Sequence, residues 1–222
     1  MSFHFSQQSC YLISLIARED RRSLFVENTN TKGFELDTFE WVQAIEDRDF
    51  GGLGCAKSHL LAMTKFITET ENEYCCIFED DFHFRETKDF SEQLINKTLT
   101  NFKSCNVFLL GGTFVTPIPT QSKLQHHQIN KVFEASSASG YLIKRQYVRK
   151  LMNLFLESIL GMEAYRSATP RNVIYDRFAI DQNWKRLQRV DDWYSSSPML
   201  GEQIASYSDI ENKDVDYMSY SA

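Results

Sequence analysis

Four short apolar runs divide the chain, and three of them end directly in charged residues or glycines. They are rich in β-branched and aromatic residues and cover residues 10–16, 74–78, 107–110 and 140–143. Helical patterns lie between or after some of them, which predicts an α/β sheet. The first run leads into AREDRR, the second into EDD and the third into a Gly-Gly pair. Because ligands of open α/β sheets bind beyond the carboxyl ends of the strands, these endings are the expected functional site.

Two other stretches have helical spacing. Residues 56–69 form the first, and the glycines of GGLGCAKSH lie just ahead of it. The second covers residues 145–160, is expected to end before Gly161, and packs on the sheet. Residues 112–133 contain two prolines and a His-His pair and are longer than most connections, so they form either a functional loop or an irregular hairpin.

Length and charge restrict the class of protein. The 222 residues carry 30 Asp and Glu against 24 Lys and Arg, a net charge of −6. This suits a single domain over residues 1–222 and argues against a nucleic-acid partner. The sequence shows neither a membrane span nor a clear signal peptide, and its five cysteines fit buried free thiols in the cytoplasm. The acidic tail after Pro198 is expected to be partly ordered at best.

The segment YCCIFEDDF, residues 74–82, brings three carboxylates to the end of a predicted strand. If the segment stays extended, Glu79 and Asp81 project to one side and Asp80 to the other. Adjacent negative charges repel one another, and Mg²⁺ or Mn²⁺ would neutralise them while also binding substrate phosphates. The alternative is a solvated acidic turn.

Three further segments offer candidate residues. On a helical wheel His59 falls beside Met63 and Phe66, so we expect it to be buried and to support the acidic triplet from behind. Arg21 and Arg22, after the first strand, could pair with a phosphate or approach a nucleotide base; surface solvation is the alternative, and it is favoured more for Arg22 than for Arg21. Asp181, within AIDQNW, could act as a base or serve as a helix cap.

In order along the chain, ISLIAREDRR, GGLGCAKSH, YCCIFEDDF, SSASGYLIKRQYVRKL, AIDQNW and PMLGEQIASYSDI resemble glycosyltransferase family 25. This family includes the lipooligosaccharide and collagen hydroxylysine galactosyltransferases. The resemblance implies a GT-A-like fold, a nucleotide-diphospho-sugar transferase fold with a mixed, mostly parallel sheet flanked by helices. It also implies a divalent metal and, most often, a UDP-hexose donor.

The resemblance also implies roles for individual residues. Glu79, Asp80 and Asp81 stand at the DxD-like triplet, with Glu79 and Asp81 as metal ligands and Asp80 at the donor. Gly54, Ser58, His59 and Arg21 stand at other donor-binding positions of the family, and Asp181 stands at a late aspartate. One departure concerns the late histidine that many such enzymes add to the metal. The last histidine here is His127, so the third ligand is open among water, Asp209 and the donor phosphates.

These assignments predict transfer of galactose or glucose from a UDP-sugar to a hydroxyl of a glycan or other acceptor. Asp181 would take the acceptor's proton, and a single displacement would invert the anomeric centre. Trp184 or Tyr141 could stack on a sugar, although a core position is the stronger alternative for both. A metal-dependent phosphohydrolase and a non-catalytic nucleotide-sugar or glycan-binding module are the competing interpretations.

Overall fold

The computed structural model describes residues 2–208 and 213–215. The strands are β1 (Ser9–Ser14), β2 (Glu40–Gln43), β3 (Tyr74–Glu79), β4 (Phe82–Phe84), β5 (Val107–Leu109), β6 (Thr113–Leu124), β7 (His127–Ser136), β8 (Gly140–Lys144), β9 (Trp193–Ser197), β10 (Gly201–Gln203), β11 (Ser206–Ser208) and β12 (Lys213–Val215). The α-helices are α1 (Glu19–Thr31), α2 (Gly51–Glu69), α3 (Lys88–Asn101), α4 (Arg145–Tyr165), α5 (Arg171–Phe178), α6 (Ile180–Asn183) and α7 (Lys185–Gln188).

Among the described residues, eight strands form the central sheet, in the order β2-β1-β3-β8-β5-β9-β7-β6. Strand β1 pairs in parallel with β2 and β3, and β5 pairs in parallel with β9. Strands β8 and β7 run antiparallel to their neighbours, so the other six strands point the same way. The prediction of a mixed, mostly parallel sheet is confirmed. The carboxyl ends of β1, β2 and β3 therefore meet at one edge.

Helices cover both faces of the sheet, which explains why its strands read as continuous apolar runs. In β3, Cys75 and Ile77 pack in one core with residues of α2 and α4. Cys76 and Phe78 point to the opposite face and pack in a second core with residues of α1 and α3. All five cysteines are free thiols and four are buried, as expected from the sequence.

Two predicted helix limits are wrong, for the same physical reason. Helix α2 begins at Gly51, five residues early, and α4 continues through Gly161 to Tyr165. Glycine weakens a helix, but close packing requires it at both places. A Cβ on Gly54 would lie 2.4 Å from the carbonyl oxygen of Ile45, and one on Gly161 would lie 2.3 Å from the Phe178 ring.

The stretch predicted as either a loop or an irregular hairpin is the hairpin β6–β7, which contains register shifts at the sheet edge. Both Trp184 and Tyr141 are completely buried, which favours their core alternative over sugar stacking. Within the described part of the chain, no helix is both long enough and apolar enough to cross a membrane. Asp209 lies outside the described residues.

Candidate active site

The acidic triplet lies where β3 ends, but it does not follow the predicted alternation. Strand β3 stops at Glu79, and Asp80 and Asp81 form a tight turn before β4. Asp80 and Asp81 consequently face the same partner, Arg21, and Glu79 is the residue that stands apart. The turn at Asp80 and Asp81 removes the extended backbone on which the prediction that Glu79 and Asp81 share a side depended.

The ring of Phe82 anchors this turn. Phe82 directly follows Asp81 and is completely buried. A Cβ would lie 3.0 Å from this ring at Gly111, 2.5 Å at Gly140 and 2.1 Å at Gly201. Only glycine allows three backbone segments to approach the ring so closely, and their packing holds the acidic turn in place.

Arg21 joins the two aspartates of the turn. Its Nη1 lies 3.0 Å from Asp80 Oδ1 and 3.2 Å from Asp81 Oδ2, with all three side chains largely buried. The Ser14 hydroxyl, at the end of β1, donates to Asp80 Oδ2 at 2.6 Å. Arg22 is partly buried: its guanidinium donates to the Ser14 hydroxyl at 3.1 Å and lies 4.4 Å above the Trp41 ring. Arg21 thus bonds to the acidic turn, whereas Arg22 bonds to the end of β1 and is not simply solvated.

Asp81 is a buried carboxylate whose ionised form is destabilised by its surroundings. Burial, together with the charge of Glu79, raises its pKa to about 7, even though Arg21 acts in the opposite direction. Its Oδ2 accepts a hydrogen bond from Gln203 Nε2 at 3.0 Å. Its Oδ1 is buried without a hydrogen-bond partner among the residues that the structure describes. A buried carboxylate oxygen left unpaired is a position where a cation would be strongly favoured.

Glu79 belongs to a second, better balanced cluster. The fully buried His59 lies with Nε2 3.0 Å from Glu79 Oε1 and Nδ1 3.0 Å from the Tyr141 hydroxyl. Nε2 donates to the Glu79 carboxylate, and the Tyr141 hydroxyl can either donate to Nδ1 or accept from it. Burial alone would raise the pKa of Glu79, but the hydrogen bond and charge of His59 outweigh it and hold the pKa below its usual value.

The Cys55 thiol completes this cluster, donating to Glu79 Oε1 at 3.4 Å. Its ligand atom lies within 4.8 Å of those of His59 and Glu79, whereas the three carboxylates of the triplet do not meet that limit among the described residues. Burial raises the pKa of Cys55 well above the usual thiol value, so the sulfur keeps its proton. A protonated thiol is a poor metal ligand.

A cavity of about 370 Å³ opens in front of both clusters. The two clusters and the ends of β1 and β2 form its walls, and the lining includes Ser14, Arg21, Cys55, Ser58, His59, Glu79, Asp80, Asp81 and Gln203. Its volume falls within the usual range for small-molecule sites.

Gly54 and Ser58 were predicted to bind the donor. The contacts that they make in the structure are with the protein backbone around the cavity wall. Gly54 packs against the backbone after β2. The hydroxyl of Ser58 donates to the Gly54 carbonyl and accepts from the Ile45 amide, both at 2.7 Å. Ser58 lines the cavity, whereas Gly54 is not among its lining residues. Both hold in place the segment after β2, which also lines the cavity.

Asp181 lies close to the clusters but not on the wall of this cavity. Its Oδ2 accepts from the amide of Ser137 at 2.9 Å. The Ser137 hydroxyl in turn donates to Gln203 Oε1 at 2.8 Å, and Gln203 reaches Asp81. Burial is the main cause that raises the pKa of Asp181, and the negative charge of Glu79 raises it further.

Sequence reasoning missed several residues of the site. Gln203 lies in the segment after Pro198 that was expected to be partly ordered at best, and no motif indicated its contact with Asp81. The sequence favoured a core position for Tyr141 but did not indicate its hydrogen bond to His59. Ser14 carried a usable signal, since it is the last residue of a strand whose end was expected to face the ligand.

Replacing His59 with Ala is expected to lower the free energy of unfolding by roughly 2–4 kcal/mol, since it leaves a void and removes a hydrogen-bond partner from Glu79 and Tyr141. Urea unfolding followed by circular dichroism measures this loss. His4→Ala is the control, because the His4 side chain is 44% exposed and pairs with Glu92 near the surface. Equal losses for the two variants would show that the His59 cluster contributes little.

The sequence profile of glycosyltransferase family 25 (LPS biosynthesis protein) matches residues 49–165, more than half of the chain. This chain belongs to glycosyltransferase family 25. The match covers α2, the acidic turn and α4, and with the sheet topology it confirms the predicted GT-A-like fold class. No curated protein sequence matches the chain closely enough to count as a relative.

Many solved structures are similar to this chain, and three of them, all at low identity, illustrate the range. A mannose-1-phosphate geranyltransferase from Thermus thermophilus is 10% identical over 85% of this chain and 73% of its own, with a TM-score of 0.46. Protein A197 from STIV is 11% identical over 94% and 93%, with a TM-score of 0.49. A Drosophila β-1,4-galactosyltransferase 7 mutant, in complex with manganese, UDP-Gal and xylobiose, is 11% identical over 67% and 52%, with a TM-score of 0.38.

Proposed function

We propose that this glycosyltransferase transfers a hexose, galactose or glucose, from a UDP-sugar to a hydroxyl of a glycan or other acceptor with inversion, and that it depends on Mn²⁺ or Mg²⁺. The observation that carries this proposal is the acidic turn after β3, where the buried Asp81 Oδ1 has no partner in the described part of the chain and Asp81 lines a cavity of about 370 Å³. The turn lies inside the segment that matches the family.

The chemistry of the turn fits a divalent cation. A pKa of about 7 for Asp81 means that its ionised form is destabilised in the folded protein, and a bound cation would remove this destabilisation. Asp81 and Glu79 would hold the ion, which when bound stabilises charge developing on the leaving diphosphate. Arg21 and Asp80 would position the donor, with Ser14 fixing the Asp80 carboxylate.

Asp181 would accept the proton of the attacking hydroxyl. Its raised pKa brings it nearer the operating pH than an ordinary aspartate, which favours a base. The Ser137 amide fixes one of its oxygens. Because Asp181 lies beside the donor cavity and not on its wall, the acceptor would enter from the side of Ser137 and Gln203. A single base acting in a single displacement gives inversion.

A thermal-shift screen of UDP-galactose, UDP-glucose and the corresponding GDP-sugars, each with and without Mn²⁺, tests the proposal. Ligands that bind only the native state raise the melting temperature. We expect a shift that requires both a UDP-sugar and Mn²⁺, followed by sugar transfer to a hydroxyl acceptor. Phosphate release without an acceptor would instead indicate a phosphohydrolase. Metal-independent UDP binding without turnover would indicate a binding module.

A further inference from the structure

Two histidines at the tip of the β6–β7 hairpin lie against a glutamate from a distant part of the chain. His126 occupies the hairpin turn, His127 begins β7, and Glu86 lies between β4 and α3. One ligand atom from each residue lies within 4.8 Å of the other two. None of the three lines the cavity of the active site. His127 is therefore not placed as the late histidine ligand of the acidic turn.

In a neutral His127 ring, one of the two nitrogen contacts would place two hydrogen-bond acceptors opposite each other. The ring is completely buried, and its Nδ1 lies 2.8 Å from the carbonyl oxygen of Pro198. A carbonyl oxygen only accepts, so Nδ1 must carry the proton. In a neutral ring Nε2 then presents a lone pair, yet its neighbour at 3.2 Å is Glu86 Oε1, also an acceptor. A cation or a second proton must lie between them.

The geometry of this contact fits a bound metal ion as well as it fits a shared proton. Zinc binds imidazole nitrogen and carboxylate oxygen at about 2.0–2.2 Å, which places neighbouring ligands of a tetrahedron roughly 3.3 Å apart. The observed Nε2 to Oε1 distance is 3.2 Å. Metal-binding histidines commonly donate their other N–H to a backbone carbonyl, as His127 does to Pro198.

We propose that Glu86, His126 and His127 form a zinc site separate from the active site. His127 Nε2 and a Glu86 oxygen are the two preformed ligands. The exposed His126, whose ring centroid lies 4.4 Å from that of His127, supplies the third, and water completes the tetrahedron. Two nitrogens and one carboxylate favour zinc over Mg²⁺, which prefers oxygen ligands.

A zinc ion at this site would connect the hairpin tip to Glu86, and both are hydrogen-bonded to the segment that contains Gln203. The Pro198 carbonyl accepts from His127, and the Leu200 carbonyl accepts from the amides of Arg85 and Glu86. Three residues after Leu200, Gln203 donates to Asp81. The zinc site therefore stabilises the connection between β9 and β10, through which Gln203 reaches the acidic turn.

Zinc and cobalt titrations of chelator-stripped protein test this site. By isothermal titration calorimetry, the wild type is expected to bind one more Zn²⁺ equivalent than His126→Ala, or to bind it at least about tenfold more tightly. At about one hundred times Kd, Zn²⁺ should raise the wild-type melting temperature by ~5–10 °C. His126 is exposed, so its loss leaves the fold intact, and Glu86→Gln is expected to show the same loss of zinc.

Controls separate this site from its alternatives. His4→Ala should keep the full zinc response, because it removes a histidine elsewhere on the surface. Binding at the Cys55 cluster would give an intense thiolate charge-transfer band with Co²⁺ and would survive His126→Ala, which would overturn the assignment. Identical zinc responses of wild type and His126→Ala would also overturn it, leaving a protonated His127 paired with Glu86.

Discussion

Replacing Asp81 with Asn is expected to stabilise the metal-free protein while abolishing its metal-dependent binding of UDP. The folded-state pKa of Asp81 is about 7 against an ordinary value of 3.8, so the folded chain holds this proton more tightly than the unfolded chain does. The stabilisation is fully present below about pH 4 and is lost as the pH rises towards 7. An uncharged Asn avoids that loss, so the variant should gain roughly 1–3 kcal/mol at about pH 8.

Urea unfolding at about pH 5 and pH 8 measures the stability difference, which should grow with pH. Calorimetry with UDP and Mn²⁺ measures binding. The matched control is Asp192→Asn: because Lys131 lowers the pKa of Asp192, this change should cost a little stability at the higher pH and leave UDP binding intact. An Asp81→Asn protein that still binds UDP only with Mn²⁺ would remove Asp81 from the proposed metal ligands.

The parts of this fold that were predictable are those encoded by contiguous sequence. The run from Tyr74 into Glu79 carries the signals of a buried strand and an acidic ending within a few residues, so its position was clear. The sequence did not distinguish the hairpin β6–β7 from a loop, because Pro117 and Pro119 argue against a strand. Strand β6 tolerates them because it lies at the sheet edge, where a missing amide donor costs little.

Contacts that depend on tertiary packing could not be read from local patterns. The early start of α2 depends on Gly54 meeting the Ile45 carbonyl, and the turn at Asp80 depends on glycines that surround Phe82 from three distant segments. Gln203 reaches Asp81 only because β10 pairs with β4 directly after the acidic turn. The residue types of the site were thus predictable, but their pairing was not.

Replacing Asp181 with Asn is expected to lower kcat by about 10²–10⁴-fold, the usual contribution of a general base, with little change in affinity for the UDP-sugar. Asn keeps the shape of the side chain and can still accept the Ser137 amide, so the stability of the fold should change little. Initial rates at saturating donor and acceptor, together with calorimetric donor affinity, separate the two effects. The control is Asp176→Asn, an exposed aspartate on the preceding helix.

The pH profile distinguishes a base from a residue that only holds Ser137 in place. Burial raises the pKa of Asp181, and a base must be ionised, so wild-type kcat should fall on acidification at a higher pH than an ordinary aspartate would give. This acidic limb should vanish in Asp181→Asn, whereas a positioning role would leave it unchanged. If Asp181→Asn keeps near-normal turnover, the base must be another carboxylate, and Glu79 on the cavity wall is then the residue to replace next.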